Sequence, residues 1–552
     1  MDGNERVPRW AAALIGLVTG AVAVGVSLPV AGLVRPSAFP VVAVGDAAVD
    51  LAPAPVKDFA IRAFGENDKT VLLTGVFAVL TVIAAVIGLL AARNVRYGVA
   101  GLAAFGVVGL LAVLTRPGAG PVDVVPTLAG VGAAVFALFL LLRRALPGGP
   151  AVPAAVPGPD AGVEPGAGPG VGSSAGPGGR GEAPVPSVRR AGGAPRAFDR
   201  RGLLIGALGG VAVAGASGVI GRMLASGAEV SAARTALRLP RPAVPAPPLP
   251  AGVDLRIGGL SPFVTPNQDF YRVDTALVVP QVDPRNWTLR IHGMVDRPVE
   301  LTFADLMRRP LIEAYITLCC VSNEVGGPYI GNARWLGPSL AAVLREAGVH
   351  READMLLATS ADGWTSGTPI DVVLDGRDAL LALAMNGEAL PVEHGFPVRQ
   401  VVPGLYGYVS AVKWVTDIKV TRFDRDQAYW TSRGWSARGP VKTESRIDVP
   451  EDGARVHAGR TTIAGVAWAQ HKGVAGVEVR VDAGPWREAR LAAAPTADTW
   501  RQWVIDDWDA VPGRHVIAVR ATDATGYLQT AERVPVVPDG ATGRHTVTVE
   551  VV

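Results

Sequence analysis

The chain has only two cysteines, and they are adjacent, Cys319-Cys320. Neighbouring cysteines rarely bridge one another, because the closure strains the peptide between them. A structural disulfide therefore explains them poorly. Buried apolar thiols are the bland reading, and a pair of groups kept for chemistry is the other. Haem chemistry fits the sequence badly. Two adjacent cysteines cannot build a Cys-X-X-Cys-His motif, so no c-type haem is expected. The seven histidines, 292, 350, 394, 457, 471, 515 and 545, all lie outside the apolar runs described next, so helices cannot offer paired histidine ligands.

The elements that must carry this region follow from composition. A mean hydropathy of +0.30 is high for 552 residues and calls for membrane segments. Residues 11–34, 70–92, 97–115, 124–142 and 203–221 are apolar runs near the ~20 residues a helix needs to span a bilayer. No carboxylate, lysine or histidine inside them marks a transport path. Arg6 and Arg9, Arg93 and Arg96, Arg143 and Arg144, and the group Arg189, Arg190, Arg196, Arg200 and Arg201 all fall on one side when the chain is threaded through. That predicts a cytoplasmic N-terminus, with everything after about residue 225 outside. A net charge of +3 gives no case for nucleic acid as a partner.

Residues 1–146 thus read as a membrane region with four helices. Residues 147–198 are a Pro/Gly/Ala-rich stretch that cannot bury a core, a disordered linker by composition. Residues 199–225 form a fifth transmembrane helix, opening on Asp199-Arg200-Arg201-Gly202. The arginine pair reads either as a twin-arginine export signal or as ordinary positive-inside charge. A Pro-rich spacer covers 226–254. Residues 255–425 alternate strand-like runs (Trp287–His292, Met355–Thr359) with helical ones (Pro338–Ala347), giving a mixed α+β domain. Residues 440–552 read as short strands, among them Thr461–Ala467, Gly476–Val481, Gln502–Ile505 and His515–Thr522, in a β-sandwich.

Four segments carry a resemblance. They are Thr265-Pro-Asn267 with Phe270-Tyr-Arg-Val-Asp274; Tyr315-Ile-Thr-Leu-Cys-Cys-Val-Ser-Asn323; Met385 to Arg399, containing His394; and Val402-Pro-Gly-Leu-Tyr-Gly407 with Ser410-Ala-Val-Lys-Trp414. In this order they resemble the molybdopterin-dependent oxidoreductases of the sulfite oxidase family. The resemblance implies Mo-molybdopterin as cofactor, with Cys320 as the thiolate on molybdenum and Arg272 facing the metal and the substrate oxyanion. It also implies that Asn267, Phe270, Tyr271, Arg272, Ser360, His394, Arg399, Ser410 and Lys413 hold the cofactor. A buried dianionic phosphate is met by guanidinium forks, an ammonium and oriented N–H groups. The segments Gly465-Val-Ala-Trp468 and Val477–Gly484 are similar to the immunoglobulin-like domain that follows in this family, which implies a homodimer.

The resemblance has two gaps. Where some relatives place a tyrosine near the metal the matching position is Trp435, and Asp274 stands where they have histidine. Substrate is thereby left open between sulfite and a protein-bound sulfoxide, with oxygen-atom transfer at sulfur as the common chemistry. The implied partners are a small-molecule or protein sulfur substrate, membrane lipid, and a separate membrane or extracytoplasmic electron carrier. The alternative is a membrane-anchored ligand-binding or sensory protein with a non-catalytic version of the fold.

Overall fold

The computed structural model describes residues 7–35, 38–52, 56, 68–116, 119–145, 198–225 and 228–552. The predicted linker 147–198 lies, but for Phe198, outside the described residues. The chain divides into two compact units. One contains the described parts of Met1–Val34, Ala54–Leu111 and Val124–Arg222, the other those of Arg35–Pro53, Ala112–Asp123 and Met223–Val552.

The first unit is helical. Its long helices are Arg9–Val34, Asp68–Arg93, Val95–Leu114, Val125–Ala145 and Arg200–Ala225. Among the described residues five helices are long and apolar enough to cross a membrane, the number read from the sequence. Small residues let apolar helices bring their backbones close together. Gly16 and Gly88 do so here: a Cβ on either would strike backbone atoms of the opposing helix. Ala12, Ile15, Val18, Ala134 and Leu138 pack alongside.

The second unit contains two sheet-rich regions. The first has strands β1 (Thr288–Gly293), β2 (Val299–Thr302), β3 (Leu311–Cys319), β4 (Ile330–Pro338), β5 (Met355–Ser360), β6 (Thr365–Pro369), β7 (Leu380–Ala382), β8 (Ala384–Met385), β9 (Glu388–Ala389), β10 (Arg399–Val401) and β11 (Val415–Thr421). They form sheets ordered β2-β1-β11-β5-β6, β3-β4-β8-β9 and β10-β7. The β3-β4 hairpin is long and in register from Leu311↔Pro338 to Cys319↔Ile330. It delivers the cysteine pair to the end of a strand whose last six residues are all buried.

The other region has β12 (Glu444–Val449), β13 (Arg455–Val456), β14 (Gly459–Trp468), β15 (Val474–Val481), β16 (Arg487–Glu488), β17 (Arg490–Leu491), β18 (Arg501–Ala510), β19 (Gly513–Asp523) and β20 (Thr546–Val551). Two sheets, β12-β14-β18-β17 and β13-β20-β19-β15-β16, enclose one core. Ile463, Trp503 and Ile505 enter it from the first sheet, and Val477, Val479, Ile517 and Val519 from the second. Trp468 and Trp500 of this region also join the core of the first region, so the two share a hydrophobic seam. At roughly 25 cal/mol per Å² of apolar surface, two buried tryptophans make that seam a substantial attachment.

Candidate active site

Cys320 follows β3 directly and opens the loop to β4. Its N–H donates to Tyr329 O at 2.9 Å, the Asn323 N–H donates back to Cys320 O at 3.1 Å, and Tyr329 N–H donates to Asn323 Oδ1 at 2.8 Å. The loop is thus closed on itself by the asparagine of the Thr-Leu-Cys-Cys-X-X-Asn run. Both thiols are free and buried. Burial pushes the Cys320 thiol up, while hydrogen bonds from Ser322 and the charge of Lys413 pull the other way. Cys319 is raised further, by burial and then by Glu444. Of the pair, Cys320 is the better prepared to ionise.

The loop is also held from the second sheet region. Arg446 NH1 donates to Gly327 O at 2.8 Å, and Ile447 N–H donates to His545 Nδ1 at 3.0 Å. The His545 ring fills the space where a Gly326 side chain would stand, and Gly326 has φ +82°. Only glycine meets both demands.

The segment 270–274 crosses beside the thiol. Tyr271 stacks on Phe270 at 5.2 Å, and Phe270 meets His394 and Trp335 edge-on at 5.6 and 5.8 Å. The Tyr271 phenol is pushed well up by burial and then by Cys320 and Cys319. A phenol therefore does accompany the thiol, from a position upstream of the one expected. Trp435 packs instead on Tyr408 and Trp430, at 5.9 and 6.1 Å.

Around this lies a basic set. Lys413 Nζ donates to Asp274 Oδ2 at 2.7 Å and to Glu393 O at 3.1 Å, while Arg272 Nε donates to the same Asp274 oxygen at 3.0 Å. Lys413 and Asp274 are both almost sealed from water, with side chains 7% and 6% exposed, whereas Arg272 is 39% exposed. Burial pulls Lys413 down to about 8, against the pull of Asp274. Arg399, at the start of β10, donates from NH1 to His394 O at 3.3 Å and lies 5.3 Å from the Trp335 ring centre. Burial brings it down to about 10. Its Nε has no partner.

His394 is neutral, lowered to about 3 by burial and then by Arg399 and Lys413. Its Nε2 lies 3.1 Å from Asn267 O, and a carbonyl can only accept, so Nε2 carries the proton. Nδ1 is then a bare acceptor, buried and unpartnered. The Asn267 side chain is occupied elsewhere, by Glu388 Oε1 at 2.6 Å and Asn386 at 2.8 Å. Ser410 turns its hydroxyl back on Leu405 O and Tyr406 O, each at 3.0 Å, and so fastens the turn around Gly407. Ser360 ends β5. Its neighbour Ala361 donates to Trp414 O at 2.8 Å, which ties that loop to Lys413.

The structure thus gathers Cys320, Arg272, Tyr271, Phe270, His394, Arg399 and Lys413 into one neighbourhood and gives Asn267, Ser360 and Ser410 supporting contacts. Sequence reasoning missed Asp274 as the counter-ion shared by Arg272 and Lys413, and Ser322 as the hydrogen-bond partner of the thiol. The signal for Asp274 was its place two residues after Arg272. The gathered cations outnumber the carboxylate three to one. A buried Arg Nε and a buried imidazole acceptor without partners are costly unless a ligand completes them. A pterin with its phosphate offers both the N–H and the anionic oxygens that these atoms lack, so the residues fit that group. No cluster of three His, Cys, Asp or Glu able to hold a metal ion occurs among the described residues.

Comparison with known proteins agrees with this chemistry. Residues 276–430 match the family described as oxidoreductase molybdopterin binding domain. Mitochondrial sulfite oxidase of Mus musculus is 33% identical over 289 residues, which are 44% of this chain and 52% of that protein. The oxidoreductase YuiH of Bacillus subtilis (strain 168) is 36% identical over 180 residues, covering 32% of this chain and 87% of YuiH. The sulfane dehydrogenase SoxCD from Paracoccus pantotrophus superposes with a TM-score of 0.47 at 27% identity, over 52% of this chain and 81% of that one. The chain spans about half the length of the mouse enzyme it matches. The matched family and these relatives define a molybdopterin-binding oxidoreductase. Within that class, the chain belongs to the sulfite oxidase family.

Proposed function

We propose that this chain is a membrane-anchored molybdenum-cofactor oxidoreductase that transfers an oxygen atom to or from sulfur in a small or protein-bound substrate outside the cytoplasm. The observation that carries the reading is the free thiol of Cys320 beside buried Lys413 and Arg399 and half-exposed Arg272, two of which pair with the one carboxylate, Asp274. When bound, the molybdenum–pterin group supplies two-electron chemistry at sulfur.

The chain's own residues divide the remaining work. Cys320 would hold the metal through its sulfur, and Ser322 with Lys413 eases loss of its proton. Arg399 and Lys413 meet the cofactor phosphate. The His394 Nδ1 acceptor takes a pterin N–H. Ser410 and Asn267 hold the loops that bear these groups, and Ser360 supports the neighbouring loop. Arg272, the most exposed of the basic set, orients an anionic substrate at the rim. Tyr271 keeps a phenol proton close to the thiol. Phe270 walls the site.

In this reading residues 1–146 and 199–225 anchor the chain, 255–425 bind the cofactor, and 440–552 form an immunoglobulin-like domain for homodimerisation. The five apolar helices support the anchor. Electrons pass to or from a separate carrier.

The test is metal analysis of the purified protein together with anaerobic dye-coupled turnover, offering sulfite and methionine sulfoxide in turn. Molybdenum near one per chain and turnover of either substrate are expected. A metal-free, inactive protein from a host that makes the cofactor would instead assign a ligand-binding or sensory role.

A further inference from the structure

A second basic group lies far from Cys320 in sequence, on the outer face of the β15-β19-β20 layer. Val477 and Val479 point into the core, so Glu478 and Arg480 between and after them face outward. Arg520 is the in-register partner of Glu478 across the strands, and Arg544 stands just before β20. Trp486, from the turn leading into β16, lies over these residues. The Cζ atoms of Arg520, Arg480 and Arg544 sit over its ring at 4.2, 4.8 and 5.3 Å from the centroid. An indole has two faces, so at least two of the three guanidinium groups share one.

Like charges held this close repel unless something answers them. Glu478 forms its ion pair with Arg520, two-pronged at 2.8 and 3.0 Å, and reaches Arg544 only through space. Among the described residues neither Arg480 nor Arg544 forms an ion pair with any carboxylate. That includes exposed Glu488, which faces Glu478 across the β15-β16 pair. The Nε atoms of Arg480 and Arg544 are sealed from water and have no partner. Stacking on an indole orders guanidinium groups while leaving their edges free, and those edges are shaped for oxyanions.

We infer that Arg480, Arg520, Arg544 and Trp486 form a binding site for a small tetrahedral oxyanion of the sulfate or phosphate type. All four side chains are half-buried, and two of the Nε atoms are closed off. Half-buried guanidinium groups held around one ring suit a small ion better than the broad acidic face of a protein. The site is independent of the proposed cofactor chemistry and lies in the other sheet region.

The test uses the full chain in detergent, loaded with cofactor so that the first basic set is filled. Sodium sulfate and sodium phosphate are titrated calorimetrically against sodium chloride at constant ionic strength. One saturable oxyanion per chain is expected, and the preferred ion tells the two sources apart. Arg480→Gln and Arg544→Gln should each weaken it about tenfold or more, the scale of a charge-assisted hydrogen bond. Arg480→Lys, which keeps charge but not the planar fork, should also weaken it and guards against a folding artefact. Molybdenum content and turnover should not move. Absence of saturable binding, equal affinity in the variants, or binding of a poly-glutamate peptide without any inorganic anion would each overturn the assignment. So would a change of oligomeric state in the variants.

Discussion

Two groups in this molecule have the same charge count and opposite settings. Arg272 and Lys413 pair with Asp274, with Arg399 near by; Arg520 alone pairs with Glu478, with Arg480 and Arg544 beside it. In the first, the Lys413–Asp274 pair is 7% and 6% exposed. In the second, Arg520 and Glu478 are 18% and 32% exposed. Burial in the first drags Lys413 to about 8 and Arg399 to about 10. The difference teaches that the same excess of positive charge costs far more where water cannot answer it. Where side chains are only half-buried, solvent offsets part of that cost.

The comparison breaks most completely at Cys320, which only the first group has. Cys320→Ser should bring molybdenum content and turnover below detection while far-ultraviolet circular dichroism stays unchanged. An active, metal-loaded Ser variant would remove the distinction drawn here. Next comes Asp274→Asn, which strips two cations of their counter-charge. Leaving buried Lys413 unpaired should destabilise the cofactor-free protein by about 3–5 kcal/mol, read as a fall in Tm. Arg399→Met should act in both directions. Cofactor affinity should fall by about ten- to a hundredfold. The cofactor-free protein should become more stable, because an unanswered buried charge is gone, and paired melting curves check both signs.

A carboxyl between the two groups in the chain isolates the effect of burial. Burial raises Glu444 to about 8 from its ordinary 4.5, with Lys442 pulling weakly the other way. The folded state therefore holds its proton more tightly than the unfolded chain does. Its contribution is fully present below about pH 4.5 and is lost as pH rises through about 8. Glu444→Gln should flatten the fall in Tm between pH 5 and pH 8, and an unchanged slope would refute the assignment. The smallest effect is expected from Arg480→Gln, which should leave cofactor content within error of the parent.

The sequence was legible where a single segment carries its own signal. The apolar runs end within a few residues of the helices; the run 203–221 lies inside Arg200–Ala225. The helix Pro40–Leu51 was missed because it is short and carries Asp46 and Asp50. Strand β18 was expected at Gln502–Ile505 and runs to Ala510, since Asp506, Asp507 and Asp509 interrupt the apolar pattern without interrupting the pairing. At the site, short motifs located Cys320, His394, Arg399 and Lys413. The bond from Lys413 to Asp274 joins residues 139 apart, and only the fold reveals it. The arginine group around Trp486 was invisible for the same reason. It depends on β15-β19 register and on a turn that returns Trp486 over the sheet.

The clasp on the 322–329 loop has a consequence for the protein's life before it is an enzyme. Arg446 and His545, which steady the loop, belong to the second sheet region, and His545 is made long after Cys320 leaves the ribosome. A nascent chain carrying only the first region has the Cys320 thiol but not the brace on its loop. A chain truncated before residue 545 should therefore retain less molybdenum than the full chain, read by metal analysis of both.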